Sequence, residues 1–162
     1  MFIPFDKLPQ EARVWIYQTA RELSNSETEF VNNYLQSAVE SWTSHSANLL
    51  GSFQILKNRF IVIAADENFN AASGCSIDSS TRWLKDLTAQ LNIDFFDRSQ
   101  AYLENGEVKT FSIFQAKKTV EEGKISPETI LFNNNITNLK DFQEKWQMPA
   151  AESFMKKYWA LV

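Results

Sequence analysis

The chain has 162 residues, a formal net charge of −4 and a single cysteine. Its length suits one domain with a hydrophobic core, and a hydrophobic share of 44% argues against disorder. One cysteine excludes an internal disulfide and metal sites of the paired CxxC type, and the lack of a long basic run argues against nucleic-acid binding.

The N-terminus and the apolar runs predict a cytoplasmic protein that has no membrane contact. The first residues, "MFIPFDKLPQ", lack the basic region and the long apolar stretch of a signal peptide. The longest clean apolar run, "FIVIAA", is far shorter than the ~20 residues that span a bilayer.

The first elements in the chain are a predicted strand and a predicted helix. "RVWIYQTA" (13–20) is rich in β-branched and aromatic residues, which is typical of a strand. Ser26 and Glu29 have the spacing of a capping box, which predicts the start of a helix. The wide apolar stripe of this helix repeats every four residues at Phe30, Tyr34, Ala38 and Trp42, and Val31, Leu35 and Val39 lie beside them.

Two strands and a second helix follow. We predict strands over "LLGSFQIL" (49–56) and "RFIVIAA" (59–65), joined by the turn "KN". The unbroken apolarity of the later strand predicts burial on both faces and a central place in the sheet. The second helix is predicted to begin at Ser76 as its cap, with Asp78 in the first turn facing the helix dipole.

The second half of the chain opens with a predicted hairpin. "NG" between two alternating runs is a strong hairpin signal, and it predicts strands over about 99–104 and 107–114. "AKKTVEEGK" predicts a short helix ending at Gly123, and "TILFNNNITN" predicts a short strand and a turn. "LKDFQEKW" predicts an amphipathic helix, and "AAESFMKKYWALV" predicts another after a break at Pro149.

This order of elements predicts an α+β fold. Strand, helix, strand, strand, helix, strand is the split β-α-β pattern of ferredoxin-like folds. We therefore predict a single α+β domain over residues 1–162, with a ferredoxin-like β-α-β-β-α-β core, an added hairpin strand and C-terminal helices.

The predicted topology brings three polar segments to one end of the sheet. These are "TSHS" (43–46), "ADEN" (65–68) and "SGCSID" (73–78), and the tip of the "NG" hairpin is expected nearby. Cys75 at a helix N-terminus, with His45 as base and Asp66 orienting the imidazole, forms a catalytic hypothesis. The competing interpretation is a tight turn at Gly74 and Cys75 with a buried thiol.

The same end of the sheet predicts a ligand-binding alternative. Backbone N–H groups at the start of the second helix are suited to a small anion, although the neighbouring acids oppose strong anion affinity. A metal site that uses His45 is a further alternative, but no motif spacing supports it, so neither a metal nor a cofactor is predicted. The candidate ligand-binding residues are Glu67, Ser73, Gly74, Ser76 and Asp78.

Several stretches carry a resemblance to a known family. "SWTSHSANLLGSF", "FIVIAADENFNAASGCSIDSS" and "FFDR" resemble short bacterial proteins that carry the label "ABC transporter ATPase" by automatic transfer, and the likeness extends from "RVWIYQ" through "TILFNN" to "EKWQMPAAESF". The resemblance implies a bacterial protein but no catalytic residues.

The ATPase label conflicts with the sequence. None of the four glycines opens the G-x-x-x-x-G-K-[ST] loop that cradles phosphates. "FIVIAADE" resembles a Walker B strand, but such a strand does not bind ATP in that manner without the phosphate loop. We expect instead a non-enzymatic binding or protein-interaction module that pairs with itself or with a protein partner. A thiol-dependent enzyme that uses Cys75 with His45 is the alternative.

Overall fold

The computed structural model of the chain describes residues 1–160, so the last two residues of the predicted terminal helix, Leu161 and Val162, lie outside the described residues. The structure is α+β, and it divides into two compact units. The first unit comprises Met1–Asp97 and Asn135–Phe142, and the second comprises Arg98–Asn134 and the chain from Gln143 onward. The prediction of a single domain over 1–162 stays a prediction beside this division.

The first unit contains five strands and two long helices. Their bounds are β1 (Arg13–Gln18), α1 (Asn25–Glu40), β2 (Thr43–Ser44), β3 (Ala47–Asn48), β4 (Leu50–Leu56), β5 (Phe60–Asp66) and α2 (Gly74–Leu91). Strand β5 lies between β1 and β4, antiparallel to both, and all seven of its residues are buried. The predicted central position of this strand is therefore confirmed.

The outer edge of β1 distinguishes the first unit from a complete ferredoxin-like sheet. The order β1-β5-β4 matches the first three strands of that fold, but the fourth predicted strand, about 99–104, does not pair with β1. Single bridges fill the edge instead, from Phe96 at one end of β1 and from Asn138 at the other. Because these bridges use the free backbone groups of β1, the ferredoxin-like topology is not confirmed.

The N-cap of helix α1 lies two residues before the predicted one. Ser24, not Ser26, is the N-cap, and it forms a capping box with Glu27. Glu27 accepts hydrogen bonds from the Ser24 backbone N–H at 2.9 Å and from the Arg21 guanidinium at 2.9 and 3.0 Å. The bond from Arg21, followed by the Ser24 backbone bond, lowers the pKa of Glu27 to about 2. This second partner explains why the earlier of two overlapping S-x-x-E patterns is used.

Trp42 lies in the hydrophobic core of the first unit, which is called the first core below. Its ring makes edge contacts with Trp15 and Trp83, at centroid distances of 6.1 and 5.1 Å. A Cβ added at Gly51 would lie 2.8 Å from the Trp42 ring, so the β4 backbone passes directly against this side chain. The apolar stripes of α1 and α2 pack on the same cluster through residues that are almost fully buried: Val31, Leu35, Val39, Leu84 and Leu87.

The second unit contains a four-stranded antiparallel sheet in the order β7-β6-β8-β9. The bounds of the elements from here to the C-terminus are β6 (Gln100–Glu104), β7 (Glu107–Phe111), α3 (Ala116–Glu121), β8 (Ile130–Phe132), α4 (Leu139–Lys145) and β9 (Gln147–Pro149). The first four residues of α4 belong to the first unit. Asn105 and Gly106 both have positive φ at the tip of the β6–β7 hairpin, as the "NG" signal predicted.

The C-terminal segment differs from its prediction. Pro149 does not separate two helices as predicted. It is the last residue of β9, where it pairs with Ile130. The predicted amphipathic helix is replaced by two short 3-10 helices, Ala150–Glu152 and Phe154–Tyr158. Ser153 separates them in an extended conformation, and its hydroxyl donates to the Ala150 carbonyl while accepting from the Met155 N–H. These side-chain bonds satisfy backbone groups that a continuous helix would pair.

Candidate functional site

Hydrogen bonds join the "TSHS" segment to the loop between β5 and α2, residues 67–73, which is called the β5–α2 loop below. The Asn70 amide donates to the carbonyls of Ser44, Ala47 and Asn48, at 3.1 to 3.3 Å. The Ser44 hydroxyl donates to the Ala71 carbonyl at 2.7 Å. Strands β2 and β3 form a small hairpin here that the sequence did not predict.

The two acids predicted at this edge hold the β5–α2 loop. The Asp66 carboxylate, which is buried, accepts from the Asn68 N–H at 3.0 Å. The Glu67 carboxylate accepts from the Ala72 N–H at 2.9 Å and lies 3.8 Å from the Arg13 guanidinium. Within residues 1–160, neither carboxylate forms a hydrogen bond or an ion pair with His45. Each acid therefore has a structural role in the shape of the loop.

The start of helix α2 corrects the predicted cap. Ser73 is the N-cap, and its hydroxyl accepts from the Ser76 N–H at 3.2 Å. The Ser76 hydroxyl in turn accepts a hydrogen bond from the Ser73 N–H at 2.7 Å, which completes a capping box. The helix consequently begins at Gly74, and Asp78 lies beyond the first turn. This box uses one of the first-turn N–H groups that the anion hypothesis requires.

Gly74 has no conformational role that the structure reveals. It is exposed, and a Cβ at this position would meet no atom of the described chain within 4 Å. No contact within the described chain therefore requires a glycine here, and the predicted role of Gly74 in ligand binding stays a prediction.

Cys75 and His45 are both exposed to solvent. Cys75 occupies the second position of α2, so the interpretation of a tight turn with a buried thiol is wrong. His45 lies at the tip of the β2–β3 hairpin, where its φ is 51°. In the part of the chain that the structure describes, the imidazole and the thiol form no hydrogen bond with each other or with Asp66. The catalytic hypothesis stays a prediction.

Trp42 and Phe69 are two residues of this edge that the site prediction missed. The Trp42 indole donates to the Ser76 carbonyl at 2.9 Å, which ties the start of α2 to the first core. Phe69 is 85% exposed, in the middle of the β5–α2 loop. The stretch "NFN", an aromatic residue between two asparagines, was the available signal in the sequence.

Metal and membrane sites find no support in residues 1–160. No three of the His, Cys, Asp and Glu side chains in that range are grouped so that they could hold a metal ion. None of the helices in the same range is both long and apolar enough to span a bilayer.

Comparison with known proteins adds no assignment. No protein-family model, no curated protein and no solved structure matches the chain. Functional conclusions therefore depend on the geometry of the two units.

Proposed function

We propose that the chain is a non-enzymatic protein-interaction module and that the β5–α2 loop is its contact surface, with Phe69 as the apolar anchor. The observation that carries this proposal is the 85% exposure of the Phe69 side chain on a loop whose neighbouring polar groups are already hydrogen bonded. Buried aromatic anchors contribute much of the binding energy in protein interfaces.

Preorganisation of the loop supports this role. Asn70 bonds three carbonyls of the β2–β3 hairpin, and Asp66 and Glu67 each accept a backbone N–H of the loop. A loop that is ordered before binding loses less conformational entropy when a partner docks. Phe69 is therefore presented to solvent on a rigid support.

Local charge favours a different protein over a second copy of the chain. Glu67 and the exposed Asp78 lie in the segments that flank Phe69. In a two-fold symmetric contact through this loop, an acid close to the axis would face the same acid of the other copy, and like charges across an interface oppose association. We infer a partner with an apolar pocket bordered by basic side chains.

The test compares wild type with Phe69→Ala and with Phe114→Ala, which removes a 99% exposed phenylalanine of the second unit. All proteins that wild type captures from the source cell are purified. The affinity of each unlabelled variant for these proteins is then measured by isothermal titration calorimetry. We expect F69A to bind at least about tenfold more weakly and F114A to bind like wild type.

Asn70→Ala tests the preorganisation separately, because it frees the loop and keeps the phenylalanine. We expect N70A to weaken binding less than F69A does. Equal affinity of wild type and F69A for every captured protein contradicts the proposal. A dimer that light scattering detects in wild type and not in F69A contradicts the inferred partner.

The second candidate is a thiol-dependent enzyme that uses Cys75 with His45. Exposure of both side chains and the place of Cys75 in the first turn of an 18-residue helix favour it, since a helix N-terminus stabilises a thiolate. This hypothesis predicts that Cys75 is alkylated more slowly in His45→Ala than in wild type at the same pH. Identical rates in wild type and H45A would exclude this pair.

Three broader interpretations are proposals as well. The resemblance described above supports a bacterial family, and a cytoplasmic location stays a proposal. A ferredoxin-like origin of the first unit is supported by its β1-β5-β4 order.

A further inference from the structure

The second unit contains a cavity of about 340 Å³, which lies at the small end of the range for sites that bind small molecules. It is formed between the β6–β7 hairpin and the segment that includes helix α3. The lining residues that carry the argument are Tyr102, Thr110, Phe111, Ser112, Lys118 and Lys124.

Tyr102 is the most informative residue of this cavity. The residue is only 6% exposed, yet its hydroxyl forms no hydrogen bond with any group in residues 1–160. Burial, followed by the nearby charge of Glu104, raises the pKa of Tyr102 above its ordinary value. Unlike the Ser52 hydroxyl, the Tyr102 oxygen is not sealed from solvent. A phenol in the wall of a cavity with no partner in the described chain is a donor available to a ligand.

Other hydrogen-bonding groups in the lining are free as well. The side chains of Thr110, Ser112 and Gln115 form no hydrogen bond within the described chain. Thr119 differs, because its hydroxyl donates to the Gln115 carbonyl at 2.8 Å. Thr110 is half-buried and Ser112 and Gln115 are exposed, so these side chains are hydrated and can exchange water for the hydroxyl groups of a ligand.

The charges of the lining favour an anion. The Lys124 ammonium lies 3.0 Å from the Glu122 carboxylate, and the Lys118 ammonium lies 3.7 Å from it. Two ammonium groups around one carboxylate leave one net positive charge in the lining itself, and the Glu104 carboxylate beside it acts against this charge at Tyr102 and Lys124. Phe111, whose ring centroid lies 5.8 Å from that of Tyr102, adds an apolar surface suited to one face of a sugar ring.

We propose that this cavity binds a small hydroxyl-rich anion, such as a sugar acid or a sugar phosphate. Lys118 and Lys124 attract the acidic group, and Tyr102, Thr110 and Ser112 bond the hydroxyls. The assignment is independent of the Phe69 surface, because it uses only residues of the second unit.

The test is titration of the intact chain with gluconate and with glucose 6-phosphate, followed by two-dimensional NMR. Glucose and inorganic phosphate serve as probes that carry only the hydroxyls or only the charge. We expect at least one of the two hydroxylated anions to shift the backbone signals of the lining residues, with an affinity at least about tenfold above that for glucose or phosphate.

Variants assign the binding to named groups. Tyr102→Phe removes only the free hydroxyl and should weaken binding about three- to tenfold. Lys124→Met should weaken it by about the same factor, since it removes a charged partner and its side chain is exposed enough to leave folding intact. Lys117→Met is the matched control, because Lys117 pairs with Glu121 outside the lining.

Two outcomes overturn the assignment as a whole, and two others overturn one part of it. One is the absence of shifts at the lining residues with both hydroxylated anions. The other is a loss of affinity in K117M equal to that in K124M. Equal binding of glucose and glucose 6-phosphate, with gluconate no tighter, overturns the anionic part. Equal binding of inorganic phosphate and glucose 6-phosphate, again with gluconate no tighter, overturns the hydroxyl-rich part.

Discussion

In the first unit, the polar side chains near Phe69 form hydrogen bonds within their own loop. In the second unit, the side chains of Tyr102, Thr110 and Ser112 form no hydrogen bond within the described chain. The first edge has the residue types of a reactive site, yet Asp66 and Glu67 serve the backbone. The cavity has no residue type that attracts notice in a sequence. A polar cluster becomes a site through the groups that folding leaves unpaired, and composition alone does not show which groups those are.

Trp42→Ala is the change with the largest expected effect on this contrast. The side chain is 2% exposed and joins both helices, so we expect a loss of about 3–5 kcal/mol in the free energy of unfolding. Urea unfolding followed by circular dichroism measures it. Phe69→Ala is the control, because truncating an exposed ring should change stability by less than about 0.5 kcal/mol. A small loss in W42A would show that the first unit does not depend on this ring.

Gly51→Ala tests the close approach of β4 to Trp42. The new methyl would lie 2.8 Å from the indole and 3.1 Å from Val39, so the ring or the strand has to move. We expect a loss of about 1–3 kcal/mol in thermal or urea unfolding. The matched change is Gly74→Ala, which meets no atom within 4 Å and should leave stability unchanged or slightly raised. Equal effects of the two substitutions would contradict this packing.

Glu27→Gln tests a carboxylate of the first unit that accepts hydrogen bonds with both of its oxygens. The folded pKa of about 2 lies below the ordinary 4.5, so the charged form stabilises the fold above about pH 4.5. This contribution is lost as the pH falls through 2. We expect E27Q to be less stable than wild type by about 0.5–1 kcal/mol at pH 7, with a difference that shrinks towards pH 2.

The matched control for this comparison is Glu29→Gln. Glu29 belongs to the other S-x-x-E pattern and is exposed, so its substitution should change stability by less than about 0.5 kcal/mol at any pH. If E29Q and E27Q had the same pH dependence, the capping box would have been assigned to the wrong residues.

Ser52→Ala has the smallest expected effect, and it concerns the exception within the first unit. The Ser52 hydroxyl is buried and has no hydrogen-bond partner among the described residues. Removing an unpaired buried hydroxyl should leave stability unchanged or raise it by up to about 1 kcal/mol in urea unfolding. A loss above about 1 kcal/mol would indicate a bound water or another partner for this hydroxyl.

Local signals predicted much of the architecture. The apolar stripe of α1, the turn at residues 57–58, the "NG" hairpin and the unbroken apolarity of β5 each describe a feature that neighbouring residues determine. Helix α2 was predicted as well, but its observed cap, Ser73, lies three residues before the predicted one, Ser76, since a serine at either position satisfies the same local pattern.

The site predictions were less complete because they depended on remote partners. Cys75 was assigned either to catalysis or to a buried turn, and its exposure follows from a helix start that the Ser73–Ser76 box determines. Phe69 received no role, since its exposure depends on the bonds that Asn70 makes to the β2–β3 hairpin. Tyr102 was placed in a predicted strand, and its hydroxyl was given no role.

The sequence by itself determined the α+β class, the central strand and the main helices, because periodicity and turn chemistry act over a few residues. Only the tertiary structure decided that β6 pairs with β8 while bridges from Phe96 and Asn138 fill the edge of β1. Strand partners and unpaired polar groups are set by burial and hydrogen bonding between segments far apart in the chain, and no local pattern encodes them.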